Sequence, residues 1–179
     1  MLVRNNCVLV VVDVQGKLFE AMYERDLLLQ NLVRIIQGAK ALGLPVIWQE
    51  QVPEKMGITV QAVRDLLTDI TPIPKSSFSC CGEPAFVKAL SKTGRKQVII
   101  AGIETHVCIY QTARDLIKAG YQVEVVADAV SSRTLSNKTV GIDKIKAVGG
   151  SVTSVEAALF EMMKGADDPA FREMLKIVR

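Results

Sequence analysis

The chain has 179 residues, 49% apolar and 23% charged, and a net charge of +3 from 22 basic and 19 acidic side chains. This composition excludes a disordered segment and gives room for one domain, 1–179, with a sizeable core. No basic cluster accompanies the charge, which argues against a nucleic-acid partner. The longest early apolar run, 7–12, is too short for a signal segment or a membrane span, so a cytoplasmic chain is expected.

The first element is a strand over 8–13, apolar throughout until Asp13. Asp26 is placed to cap a helix running to Leu42, with Leu28, Leu32, Ile35, Ile36 and Ala39 at helical spacing and Gly43 as its stop. A second strand is expected over 45–49. Thr59 is a cap for a short helix carrying Val63, Leu66 and Leu67. Residues 71–75 read as a short extended piece whose two prolines suit a sheet edge. A helix over 83–91, a strand over 97–102 and a helix over 107–119 follow. The remainder predicts a strand over 121–127, a helix over 137–148, a short strand at 152–153, and helices over 154–164 and 169–177. Phe171, Met174, Leu175 and Val178 give the last helix an apolar face, packed either on its own domain or on a second copy in a homo-oligomer.

Strands and helices alternating in this way predict a three-layer α-β-α sandwich around a mainly parallel six-stranded sheet, with right-handed crossovers. In the order 3-2-1-4-5-6, strands 1 and 4 are neighbours at the switch point, where small ligands bind beyond the strand ends. Strand 1 ends at Asp13, and strand 4 leads through Gly102 to Cys108. A carboxyl and a thiol are therefore expected at one crevice.

Each candidate has a plain structural reading beside the chemical one. Asp13 either caps the following turn or acts as a base. Cys108 is either a buried structural cysteine or a thiol activated by a helix start. Lys75, after Pro72-Ile73-Pro74, is either a solvated lysine or a cation beside the other two. His106 lies two residues before Cys108, a spacing that turns the side chains apart on a helix, and is expected at the periphery. The four cysteines match no zinc or CxxC spacing, and the lone histidine argues against a histidine-rich metal site; no metal or other cofactor is expected. Glycine-rich nucleotide loops and the serine-hydrolase elbow are absent.

Five blocks in order resemble the isochorismatase-like cysteine hydrolase superfamily: "VLVVVDVQGKLF", "PKSSFS", "AGIETHVCIYQTARDL", "VVADAVSSR" and "GGSVTSVEAALFEM". The closest likeness is to the branch of isochorismatase domain-containing proteins. The resemblance implies a triad, matched here by Asp13, Lys75 and Cys108, and a cis peptide between Ile103 and Glu104 that aims the Glu104 and Cys108 N–H groups at an oxyanion. It further implies a small-molecule substrate, attacked at an amide-like carbonyl. One departure stands out: "WQEQVPEKMG" lacks the histidines with which nicotinamidases hold a metal. Gln15, Phe19, Trp48, Gln51 and Phe78 are the candidates for the pocket wall, with core packing the other reading of the two phenylalanines and a solvated loop that of Gln51. The rival function is a silent binding or scaffold protein that keeps the fold. A phosphoacceptor module is disfavoured because Asp13 has only valines beside it.

Overall fold

The computed structural model describes residues 1–179. In chain order the elements are β1 (Cys7–Val12), α1 (Gly16–Glu20), α2 (Arg25–Ala41), β2 (Val46–Gln51), α3 (Pro53–Met56), α4 (Gln61–Arg64), β3 (Ile73–Lys75) and α5 (Pro84–Lys92). Then come β4 (Gln97–Ile103), a π-helical turn (Thr105–Ile109), α6 (Tyr110–Lys118), β5 (Gln122–Ser131), α7 (Leu135–Ala147), β6 (Ser151–Thr153), α8 (Val155–Met163) and α9 (Phe171–Ile177). The six strands form one sheet in the order β3-β2-β1-β4-β5-β6, every pair parallel.

Helices cover both faces, so the central strands are apolar on both sides. Along β1 the alternation divides the core. Cys7, Leu9 and Val11 pack with the α2 and α8 side, while Val8, Val10 and Val12 pack with the α5 and α6 side. α9 turns Met174 fully inward and lays Phe171 and Val178 on the α2 and α8 core. The apolar face of the last helix is thus packed in part on its own chain, with Leu175 half-buried outside that core.

Several boundaries differ from the sequence reading, each for a local reason. α2 starts at Arg25 behind Glu24, which adopts a left-handed conformation, and Asp26 pairs with Arg25 instead of capping. Thr59 caps nothing: it bridges to Gln15, and its hydroxyl accepts from Trp48 Nε1 at 2.8 Å and donates to Glu50 Oε1 at 2.8 Å. β5 runs on to Ser131 because a bulge between the pairs Ile100–Val125 and Gly102–Val130 takes up extra residues. Within that bulge Asp128 caps α8, its Oδ1 accepting from the Val155 N–H at 2.9 Å.

Two glycines set how closely the strand ends and the π turn approach their neighbours. A Cβ on Gly102 would lie 2.1 Å from the Val12 carbonyl oxygen, so only glycine lets β4 close on β1 there. A Cβ on Gly141 would lie 2.6 Å from backbone atoms of Thr105 and His106, so α7 seats directly on the π turn.

Candidate active site

The crevice lies at the carboxyl ends of β3, β2, β1 and β4. β1 hands the chain to Asp13, which is buried and left-handed at φ 57°, a region aspartate tolerates better than most residues. Its N–H still donates to Gln49 of β2 at 3.1 Å, so the residue remains tied to the sheet. Lys75 closes β3. Its side chain has no exposed surface, and its Nζ donates to Asp13 Oδ2 at 2.8 Å across the end of β2. The ammonium also donates to Gln51 Oε1 at 2.5 Å and, at 3.1 Å, to each of the carbonyls of Ser77 and Phe78. A buried lysine so fully engaged is a fixed charge rather than a mobile one.

Cys108 arrives from the β4 side on the π turn. The Ile103–Glu104 peptide is trans, as is every peptide bond in the chain, so the expected cis bond is absent. The kink is made instead by Glu104, whose backbone sits at φ 58° and ψ 61°. A left-handed residue redirects the chain at about 1–3 kcal/mol, no more than a non-proline cis bond costs. The wide π turn that follows, rather than a regular first helical turn, presents Cys108.

Cys108 and Asp13 interact directly. Oδ1 of Asp13 is buried with no hydrogen-bond partner, and the Cys108 thiol is near enough for each group to shift the other's titration. Burial pushes the Cys108 thiol up, the Asp13 carboxylate adds to that, and Lys75 opposes both without overcoming them. These effects favour the neutral thiol, against the activation that a helix start alone would give. Burial likewise raises the Asp13 carboxyl above its ordinary value, against the pull of Lys75.

A cavity of about 400 Å³ opens onto Asp13 and Cys108. Leu18, Val52, Met56, Phe78 and Val107 give it apolar walls, and Gln15 and Gln51 also line it. Of the five pocket candidates, Gln15, Gln51 and Phe78 are in place, whereas Phe19 and Trp48 are not. On α1 it is Leu18 that meets the cavity, and its helical neighbour Phe19 turns into the core. Trp48 lies on the opposite face of β2 from Gln51, as odd spacing along a strand dictates, and packs with Val63 and Leu67.

The charged side chains of Lys55, Glu104 and Arg133 also line the cavity. Arg133 Nε donates to Glu104 Oε1 at 3.0 Å, and His106 Nδ1 stands 3.5 Å from Glu104 Oε2. His106 also meets Ser132 Oγ at 3.1 Å and lies behind the cavity wall, as its spacing from Cys108 implied. Ser131 is buried, donating to the Tyr23 carbonyl. No three His, Cys, Asp or Glu side chains gather as a metal site would need. The signal for Val52, Lys55 and Met56 was their place just past the end of the second strand, beside the switch point.

Residues 7–157 match the isochorismatase domain. The chain belongs to the isochorismatase family. It is 38% identical over 82% of its length to isochorismatase domain-containing protein 1 of Salmo salar, of whose own length it spans 51%, about half. It is 33% identical over 99% of its length to the secreted isochorismatase effector Isc1 of Phytophthora sojae, covering 87% of that protein. Among solved structures, one described as the MAR1 ribonuclease from Caenorhabditis elegans superposes with a TM-score of 0.93 at 34% identity, covering 99% of this chain and 91% of that one. The family's hydrolase fold is thus present across the whole α/β sandwich. No helix is long and apolar enough to cross a membrane.

Proposed function

We propose that this isochorismatase-family chain is a cysteine hydrolase that cleaves the C–N bond of a small amide-like substrate through a thioester. The observation that carries the reading is that Asp13 and Cys108 line one small, largely apolar cavity while the buried Lys75 holds Asp13 from behind at 2.8 Å. The neutral thiol defines the order of events. Asp13 takes the Cys108 proton as sulfur attacks the carbonyl carbon, so charge develops on the substrate oxygen rather than resting on sulfur. With the 103–104 peptide trans, the Cys108 N–H is the remaining donor of the expected pair to receive that oxyanion, such a donor contributing about 3–4 kcal/mol. The carboxyl proton passes to the departing nitrogen and the C–N bond breaks. Water, giving its proton to Asp13, then opens the thioester, releasing the acid and restoring the thiol. Lys75 holds Asp13 in place and keeps the carboxylate form accessible in a buried setting.

The apolar walls favour a small molecule over the backbone of a polyanion, which sets this reading apart from the ribonuclease description of the nematode protein. The test is ammonia release from a panel of small amides, with Cys108→Ala as the blank. Turnover lost in Cys108→Ala supports the reading, with an acid limb above the ordinary carboxylate range because Asp13 must ionise. No ammonia from any amide, or release that survives Cys108→Ala, removes it and favours the binding or scaffold alternative.

A further inference from the structure

We propose that Lys55 reads an anionic group at the far end of the substrate, making the substrate class small amides that carry a carboxylate remote from the scissile bond. The inference rests on the amide-hydrolase reading above and specifies the part of the molecule that does not react.

The charges around the cavity cancel with one exception. Asp13 is paired with Lys75 at 2.8 Å, and Glu104 with Arg133 at 3.0 Å. Lys55 also lines the cavity, yet its ammonium takes part in none of the chain's ion pairs or side-chain hydrogen bonds. A pocket walled by Leu18, Val52, Met56 and Phe78 is left with a single uncompensated positive charge. Sites for small ligands commonly combine apolar walls with a few placed polar groups that fix orientation. A single spare charge matches a carboxylate better than a doubly charged phosphate.

The placement of Lys55 suits that role. It stands on α3, just past the end of β2, while Cys108 enters from beyond β4. Because β1 lies between those strands, the backbone bearing Lys55 and the backbone bearing Cys108 stand on opposite sides of the opening. The backbone that bears Lys55 is braced rather than loose. Gln15 Nε2 donates to the carbonyls of Gly57 at 2.6 Å and Gln51 at 3.1 Å, and Gln15 Oε1 accepts from the Gln51 N–H at 2.6 Å. The Val52 N–H donates to the Lys75 carbonyl at 2.9 Å, and the Gly16 N–H to that of Ile58 at 3.3 Å. Gly16 passes so close beneath this lip that a Cβ on it would lie 2.4 Å from the Met56 oxygen. A fixed lip sets the distance between the two ends of a ligand, which is what discrimination by length and charge needs.

The experiment is a titration by nuclear magnetic resonance of the full chain carrying Cys108→Ala, which cannot form a thioester, with adipamate and with its neutral counterpart hexanamide. Adipamate is expected to bind about fivefold more tightly, the scale an exposed charge pair allows. Adding Lys55→Met should abolish the preference and Lys55→Glu should reverse it, whereas Lys118→Met, an equal change of net charge on the far end of α6, should keep it. Equal or absent binding of the two compounds, or a preference that survives both Lys55 variants, overturns the proposal. The two readings fail separately: a Lys55-dependent preference without ammonia from the unaltered chain would remove only the hydrolase. Ammonia released with no preference for the anion would remove only the role of Lys55.

Discussion

Cys108 is held against ionisation by its depth and by the carboxylate beside it, and only Lys75 pulls the other way. This gives Asp13→Asn an expected effect of opposite sign on two readouts. Ammonia release should vanish, because the proton acceptor is gone. Labelling of Cys108 by iodoacetamide at fixed pH should speed up, because the charge that disfavours a thiolate is removed while Lys75 remains. Slower labelling in Asp13→Asn, followed by mass spectrometry of the Cys108 peptide, would mean that the carboxylate activates the resting thiol, contrary to the electrostatics described here. Asp13, Lys75 and Cys108 could be named because five sequence blocks resemble one family; chain position alone left each of them a plain structural reading. The sequence did not show the state of the sulfur. That state depends on how far apolar neighbours exclude water, which a helix-start argument made from residue positions leaves out. Phe19 and Trp48 were misplaced for a related reason: an aromatic near a strand end is as well suited to the core as to a pocket, and only the facing of its element decides.

Among the elements, the π turn depends on what lies behind it. α7 presses Gly141 against the Thr105 and His106 backbone. An alanine would ordinarily stabilise a helix interior by about 1 kcal/mol relative to glycine. Here its Cβ would have to displace backbone at 2.6 Å, so Gly141→Ala is expected to destabilise the protein by about 1–3 kcal/mol and to lower amide turnover by shifting Cys108. Chemical denaturation and ammonia release check the two effects, and a rise in stability would show that α7 and the turn are not in firm contact. The long apolar strands and α2 were legible from periodicity alone. The short helices α1, α3 and α4 were harder, since four or five residues carry too little pattern, and α1 and α3 went unseen. The extension of β5 was hidden by Asp128, a polar residue that reads as a strand end and is in fact a helix cap within a bulge.

For the molecule as a whole, the cysteines couple stability to alkaline pH. Burial holds Cys7 up at about 11 and Cys80 at about 12, against 9.0 for an ordinary thiol. The folded state therefore keeps protons that the unfolded chain gives up. Their stabilising contribution is fully present below pH 9 and is lost as pH climbs through 11 and then 12. Cys7→Val removes one such proton from a position with no exposure. The stability difference between the unaltered chain and this variant should shift in favour of the variant by up to ~1.4 kcal/mol per pH unit above pH 9. Urea denaturation at several alkaline pH values measures it, and a difference independent of pH would contradict the burial-driven shift. The sheet order was open to prediction because alternation of strand and helix leaves few parallel topologies. Its two borders carry a further consequence. β3 and β6 are each three residues long, and Pro74 deprives β3 of one amide donor. Neither margin offers another polypeptide a continuous row of groups to bind, so copies of this chain that associate do so without joining their sheets edge to edge.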